Sequence, residues 1–160
     1  MAPLQTKHLA LLPRTVEEVR AQINAMAAEH RSQLSPDWLA RLNKPDADLW
    51  TLGFTMTDRV TGETVGQCGF KSPPTVDGVV EIAYLVEPGQ QGKGFATAAA
   101  GALTAFALGS GRVRIVRAHT LPEHNASTRV LQKNGFRHLG EVIDPEDGRV
   151  WRWEKQNDGR

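Results

Sequence analysis

The stretch EPGQQGKGFATAAA, Glu87 to Ala100, joins a glycine-rich turn to a run of small residues typical of a helix. Glycine lets the backbone approach a ligand closely, and the unpaired N–H groups at the start of a helix attract anions. The segment 88–122 contains one lysine and three arginines but no carboxylate, so a phosphate would meet no repulsion there. The turn predicts a phosphate-binding loop, with a plain tight turn before a buried helix as the alternative.

Two common phosphate loops do not match this turn. A Walker A loop requires Ser or Thr after Gly-Lys, whereas this chain has GKG at 92–94. A dinucleotide fingerprint requires a third glycine or alanine where this chain has Thr97, and an acidic residue about 20 positions later, which the acid-free segment lacks. The pattern that remains is Q-x-x-G-x-A, formed by Gln91, Gly94 and Ala96.

The pattern on both sides of the turn predicts alternating strands and helices. Apolar runs and residues rich in Thr and aromatics predict strands at 7–12, 49–58, 64–71, 79–88 and 112–120, with a final hairpin over 136–155. Capping residues followed by apolar residues at helical spacing predict the helices. These helices are one capped by Thr15 with Glu18, a short one capped by Ser35, one from the glycine turn to about Leu108 with Phe95, Ala99, Leu103 and Phe106 on one face, and a short one over 125–135 capped by Asn125 or Ser127.

The resulting order, β-α-α-β-β-β-α-β-α-β-β, predicts a single α/β domain (an α+β mixed sheet) over residues 1–155. The polar tail 156–160 is expected to be frayed. The strand at 79–88, the glycine turn, the helix and the strand at 112–120 form a βαβ unit, whose two strands should be parallel.

Composition and charge exclude several classes of protein. The chain has 160 residues and a net charge of +1, which does not favour nucleic acid as a partner. The single cysteine, Cys68, cannot form a disulfide within the chain and is expected to be a small buried hydrophobic residue. Lys7 and His8 interrupt the N-terminal apolar run, and no run is long enough to cross a membrane. We therefore expect a cytoplasmic protein with no metal, no membrane and no nucleic acid among its partners.

A second motif, NASTRVLQKNGF at 125–136, lies about 30 residues beyond the glycine turn. Together the two motifs resemble the GCN5-related N-acetyltransferase (GNAT) superfamily, and most closely its branch of ribosomal-protein N-terminal acetyltransferases. That branch typically carries E-I-x-Y, then P-x-x-Q/R-G-K-G-x-A-T, then N-x-x-S-x-x-V/L-x-x-K-x-G-F. This chain has EIAY at 81–84, PGQQGKGFAT at 88–97 and the second motif in that order, and the resemblance covers nearly the whole chain.

The resemblance implies direct transfer of the acetyl group of acetyl-CoA to an amine acceptor. It implies that the two central parallel strands splay and that the pantetheine arm of the coenzyme fills the gap between them. Backbone around Tyr84 and Leu85 would then stabilise the oxyanion. The residues implied to bind acetyl-CoA are Tyr84, Leu85, Val86, Gln91, Gly92, Lys93, Gly94, Phe95, Ala96, Thr97, Asn125 and Ser127.

The resemblance leaves the catalytic groups open. Glu81 and His119 are candidate bases, with structural pairing or packing as the alternative for each and a water relay as the alternative to both. Many family members have a tyrosine as general acid where this chain has Leu131. Ser127 is the candidate replacement, with a helix-capping role as its alternative, and Tyr84 is expected to be a packed strand residue.

The acceptor is a primary amine, either the α-amine of a protein N-terminus or an amine on a small molecule. A non-catalytic acyl-CoA-binding regulatory domain on the same fold is the alternative function, because the usual tyrosine is absent. Trp38 falls in the helical segment that lines the acceptor cleft in relatives, with an aromatic acceptor pocket as the alternative to its expected role in core packing or a dimer surface. Trp151 and Trp153 are expected to pack in the core or to form the surface of a homodimer.

Overall fold

A computed structural model describes residues 2–157, which form one mixed sheet with helices packed against it. The strands are β1 (Leu4–Gln5), β2 (Leu9–Pro13), β3 (Phe54–Asp58), β4 (Thr64–Phe70), β5 (Val79–Val86), β6 (Ile115–Thr120), β7 (Arg137–Asp144) and β8 (Gly148–Gln156). The helices are α1 (Val16–Ala25), α2 (Ala28–Arg31), α3 (Pro36–Leu42), α4 (Leu49–Leu52), α5 (Phe95–Gly109) and α6 (Ala126–Lys133). A single 3₁₀ turn, Pro88–Gln90, follows β5.

The sheet has the strand order β1-β2-β3-β4-β5-β6-β8-β7. Every neighbouring pair is antiparallel except β5 and β6, which are parallel as the βαβ unit predicts. The β5–β6 ladder joins only Val79, Val80 and Glu81 to residues 115–117. Beyond Glu81 the two strands separate, which confirms the predicted splay.

Helix α5 supplies the apolar face that packs on the centre of the sheet. Phe95, Ala99 and Leu103 are buried, whereas Phe106 is only half-buried. Their spacing of four and four residues places these three side chains on one helical face. A second, smaller cluster around Val19, Leu42 and Leu52 packs α1, α3 and α4 together.

Helix starts follow the predicted caps. Thr15 and Glu18 form a full capping box at α1, and the Ser35 side chain accepts the Trp38 N–H at α3. At α6 the cap is Asn125, whose Oδ1 accepts the Thr128 N–H at 3.1 Å. Ser127 lies inside the helix, so its side chain is not the cap.

The predicted strand over 49–58 is wrong in its first half. Residues 49–52 form the helical turn α4, because Asp48 accepts the Trp50 N–H and starts a turn before the extended segment. Gly53, at φ 70°, then redirects the chain into β3. The strand predicted over 112–120 begins only at Ile115, and β1 and α2 were not predicted.

β8 extends one residue into the segment that was predicted to be frayed. Gln156 is the last residue of β8, and the Asn157 N–H donates to the Arg114 carbonyl at 3.3 Å. The predicted fraying therefore does not apply to Gln156. Residues 158–160 of the predicted tail lie outside the described residues.

Two features that residues 2–157 lack relate to the expected partners. No helix in this range is both long enough and apolar enough to cross a membrane. The same range contains no group of three or more His, Cys, Asp or Glu side chains that could hold a metal ion. The expectations about membrane and metal remain predictions.

Candidate active site

A cleft of about 420 Å³ opens where β5 and β6 separate. The end of β5, the glycine turn and the start of α5 form one side of it, and α6 forms the other. Ten of the residues predicted to bind acetyl-CoA line this cleft. They are Tyr84, Leu85, Val86, Gln91, Gly92, Gly94, Phe95, Ala96, Thr97 and Ser127.

Two glycines give the turn its shape and keep it open. Gly92 and Gly94 have φ of 80° and 85°, a conformation that other residues rarely adopt. A Cβ atom built on either glycine meets no other atom within 4 Å, so the space beside the turn is not used for protein packing. Gly94 is also the N-cap of α5 and, among the described residues, no side chain caps that helix. Its first N–H groups are therefore available to an anion.

Lys93 and Asn125 do not line the cleft, unlike the other ten residues predicted to bind acetyl-CoA. The Lys93 ammonium donates to the Gln90 side-chain carbonyl at 3.0 Å. The side chain of Asn125 is occupied by the capping box of α6 with Thr128. Asn125 therefore positions the helix that carries Ser127.

Arg129 and Lys133 line the cleft although sequence reasoning gave them no role. Together with Ala126 and Val130 they occupy positions i, i+3, i+4 and i+7, so they share one face of α6. This helical spacing in the sequence could have indicated that Arg129 and Lys133 lie on the same face of α6 as the apolar residues that line the cleft. The two cations add positive charge to a cleft whose opposite wall presents free helix N–H groups.

The backbone of β5 alternates between its two neighbours. The Lys71 N–H donates to the Glu81 carbonyl and the Glu87 N–H donates to the Val65 carbonyl, both at 2.9 Å, so odd-numbered residues of β5 face β4. By alternation, the main-chain groups of Tyr84 and Val86 point toward the gap left by β6. The Val86 carbonyl already accepts a hydrogen bond from the Gln91 side chain. Of the predicted pair around the oxyanion, Tyr84 rather than Leu85 thus has its main chain directed at the gap.

Tyr84 and Ser127 meet across the cleft. The phenol oxygen of Tyr84 and the hydroxyl oxygen of Ser127 are 3.0 Å apart, and either can donate. Burial raises the pKa of Tyr84, and the hydrogen bond to Ser127 opposes this in part. The phenol therefore keeps its proton at neutral pH. Leu131, which replaces the usual tyrosine, is fully buried in the core.

Glu81 and His119, the two predicted bases, are in direct contact. The His119 Nδ1 and Glu81 Oε2 atoms are 3.0 Å apart, and the Lys71 ammonium lies 3.2 Å from the same oxygen. Asp144 lies 4.0 Å from His119 Nδ1. Neither predicted base lines the cleft itself, but Glu81 lies two residues before Ala83, which lines a neighbouring cavity.

The hydrogen bonds of His119 fix its tautomer. The Arg152 Nε–H donates to His119 Nε2 at 3.1 Å, and a guanidinium can only donate. The Nε2 atom therefore carries the lone pair, and Nδ1–H donates to Glu81. Both ring nitrogens are thus engaged. All the contacts found for the Glu81 carboxylate within residues 2–157 use Oε2.

Two smaller cavities adjoin the cleft at Leu85, which lines all three spaces. One of about 260 Å³ lies between Trp38 and β5, and another of about 270 Å³ lies beside Gly66. Trp38 lines the first cavity, and its indole N–H donates to the Thr51 carbonyl at 2.9 Å. Trp50 and Trp153 are buried in the core, and Trp151 is partly buried against it.

Cys68 lines the first of these cavities but is 7% exposed, in agreement with its predicted burial. Burial raises the pKa of its thiol to about 12. Since only the thiolate is nucleophilic, the native thiol should react with dithionitrobenzoate at least 100-fold more slowly than the thiol of the urea-unfolded chain at pH 8. The chain has one cysteine, so the absorbance change reports Cys68 alone. Equal rates in the two states would contradict this prediction.

Comparison with known proteins agrees with the predicted family. The family described as "Acetyltransferase (GNAT) domain" matches residues 3–137. This chain therefore belongs to the GNAT acetyltransferase family. An uncharacterised N-acetyltransferase of Bacillus licheniformis is 30% identical over 93 residues, which is 58% of this chain. The matched region spans about half, 52%, of that relative's length.

Solved structures agree with the predicted fold. A GNAT-family acetyltransferase from Bacillus anthracis has a TM-score of 0.70 at 17% identity, covering 97% of this chain and 98% of its own. RimL, a ribosomal-protein alpha-N acetyltransferase solved in complex with coenzyme A, has a TM-score of 0.71 at 16% identity, covering 99% of this chain and 100% of its own. At these identities the likeness concerns the fold, and it confirms the mixed α/β GNAT architecture.

Proposed function

We propose that this chain transfers the acetyl group of acetyl-CoA directly to a primary amine. The observation that carries the proposal is the cleft at the β5–β6 split, which combines open glycines, free helix N–H groups and an unpaired strand edge. RimL, which has this fold, was solved with coenzyme A. Family membership supports the transfer of an acetyl group.

The features of the cleft fit the parts of acetyl-CoA in order. Backbone N–H groups from Gly92 to Thr97 hold the pyrophosphate, and Arg129 and Lys133 add charge for the phosphates. The main chain of Tyr84 and Val86 pairs with the amides of the pantetheine arm. The Tyr84 N–H then lies where it can stabilise the oxyanion that forms when the amine attacks the thioester.

One group of residues removes the proton of the amine, and a second group protonates the leaving thiolate. Glu81 accepts the proton of the attacking amine through water, because His119 has both nitrogens engaged and acts as a positioning residue between Glu81 and Arg152. As the new C–N bond forms and the C–S bond breaks, Ser127 gives its proton to the leaving thiolate. Tyr84 replaces that proton across their 3.0 Å contact and is itself reprotonated from solvent.

The turnover test is a screen of acetyl-CoA with peptide α-amines, amino acids, polyamines and aminoglycosides, following CoA release. Transfer to any amine supports the proposal. The alternative, a non-catalytic acyl-CoA-binding regulatory domain, is favoured by the buried Leu131 at the usual tyrosine position. It predicts coenzyme binding in calorimetry with no turnover on the whole panel.

Replacing Glu81 by Gln should reduce kcat/KM most at low pH. An α-amine with a pKa near 8 is roughly a tenth neutral at pH 7, so a base matters most where the amine is protonated and least above pH 9. We expect a roughly 10-fold loss at pH 6.5 that shrinks toward pH 9, measured as initial rates across that range. Glu154→Gln is the matched control, since Glu154 is a similarly buried strand carboxylate paired with Arg117. A pH-independent loss in Glu81→Gln would favour a purely structural role.

A further inference from the structure

Among residues 2–157, Arg14 is the single charged side chain that lines the cavity of about 260 Å³ beside the cleft. The other walls of this cavity are mainly apolar and aromatic, including Trp38, Phe70 and Leu85. Tyr84 lines both this cavity and the coenzyme cleft, so a molecule in the cavity can present an amine at the point where the two spaces meet. A volume below the roughly 300 Å³ of drug-sized pockets indicates a small occupant.

The guanidinium of Arg14 is held by neutral groups. One Nη atom donates to the Gln67 side-chain carbonyl at 2.9 Å, and the other donates to the Gln22 side-chain carbonyl. Within residues 2–157, Arg14 forms no salt bridge. The Arg14 N–H donates to the Gly53 carbonyl at 3.1 Å, which fixes the residue at the junction of β2 and α1.

Arg14 is therefore a positioned and partly desolvated cation. Burial lowers its pKa, and the charge of Glu18 opposes that shift, yet an arginine stays protonated at neutral pH. A guanidinium in such a place gains more from a carboxylate than from an amide carbonyl, because a carboxylate brings the opposite charge and can accept two parallel N–H bonds. Within the described part of the chain, the cavity lining contains no carboxylate to compete for Arg14.

From this arrangement we infer that the acceptor is a small apolar α-amino acid, with its carboxylate on Arg14 and its side chain against the apolar walls. The inference rests on the proposed acetyl transfer. Polyamines and aminoglycosides are disfavoured because their positive charges would meet Arg14 in a cavity to which residues 2–157 contribute no carboxylate. Free amino acids are favoured over peptides because the carboxylate of a peptide lies far from its α-amine.

The test compares L-leucine and L-phenylalanine with their amides and with peptides that begin with the same residues. The amides have the more weakly basic amines, so they would react faster if the carboxylate did not matter. We expect the free amino acids to have kcat/KM values at least 10-fold above the amides. Equal or better turnover of amides or peptides overturns the inference and leaves acetyl transfer intact.

Variants of Arg14 distinguish a loss of carboxylate recognition from a general loss of folding. Arg14→Gln should raise KM for the amino acids about 10-fold or more and change KM for the amides much less, whereas Arg14→Lys should retain part of the preference. Arg20→Gln is the matched control, since Arg20 also donates to a neutral side chain, that of Asn43, and lies outside these cavities. Equal loss for amino acids and amides in Arg14→Gln would show a structural role and overturn the inference.

Calorimetry distinguishes failure of the inference from failure of the proposed transfer. The coenzyme-loaded protein is titrated with L-leucine and with L-leucinamide. Binding of leucine that Arg14→Gln weakens, without turnover on any amine, would support the carboxylate site and overturn acetyl transfer. Absence of both binding and turnover would overturn both.

Discussion

Gly94→Trp should reduce the affinity for coenzyme A at least 100-fold and remove activity. A Cβ at Gly94 meets no protein atom within 4 Å, so the indole would enter the space that we assign to the pyrophosphate. The loss of two charge-assisted hydrogen bonds, each contributing about 1.5–3 kcal/mol, accounts for at least that change. Isothermal titration with coenzyme A measures it.

Gly94→Trp also strains the backbone, so its control must be a variant with the same strain at a position outside the cleft. Gly94 has φ of 85°, where a side chain costs about 1–3 kcal/mol. Gly111→Trp is matched, because Gly111 has φ of 79°, also has open space at its Cβ, and lies beyond the opposite end of α5. Both variants should lose similar stability, and only Gly94→Trp should lose the coenzyme. Wild-type affinity in Gly94→Trp would mean that the pyrophosphate binds elsewhere.

Gly66→Ala should produce the largest loss of stability for a single added methyl group. The new Cβ would lie 2.1 Å from the Leu85 carbonyl oxygen and 3.0 Å from the Val86 Cα, both backbone atoms that cannot rotate away. β4 and β5 must therefore separate. We expect the free energy of unfolding to fall by about 1–3 kcal/mol and Tm by about 2–12 °C, measured by thermal and urea denaturation.

The same substitution should weaken coenzyme binding, because Leu85 lies between the two residues whose main chain faces the cleft. Gly109→Ala is the control, since a Cβ there meets nothing within 4 Å at a φ open to alanine. It should leave both stability and binding near wild type. Unchanged stability in Gly66→Ala would mean that the two strands lie further apart than described.

Much of the cleft lining could be predicted from the sequence, because most of it lies within the single segment 84–97. The family resemblance, carried by local features such as a glycine turn and a helix start, implied Gly94, Thr97 and Tyr84, and all three line the cleft. Their role in binding acetyl-CoA stays a prediction. The strand prediction was wrong at Leu49–Leu52, also for a local reason. The capping hydrogen bond that Asp48 accepts outweighs the strand propensity of the residues that follow.

The side-chain network around the candidate base could not be predicted in the same way. Arg152 reaches His119 from a strand 33 residues further along the chain, and Lys71 reaches Glu81 from the end of β4. Such contacts depend on strand order and register, which no local pattern encodes. The Gln67–Arg14 contact, 53 residues apart in sequence, is of the same kind.

The short ladder between β5 and β6 has a consequence for selectivity. Three residue pairs join the strands, and beyond them a gap between the strands is bordered by the main chain of β5. A ligand that enters this gap takes the place of a missing strand, as peptides do when they extend an exposed sheet edge. Such a gap favours a slender, unbranched chain with amide groups along its length. We therefore expect a nucleotide without such an arm to bind more weakly than coenzyme A, since it would leave this gap empty.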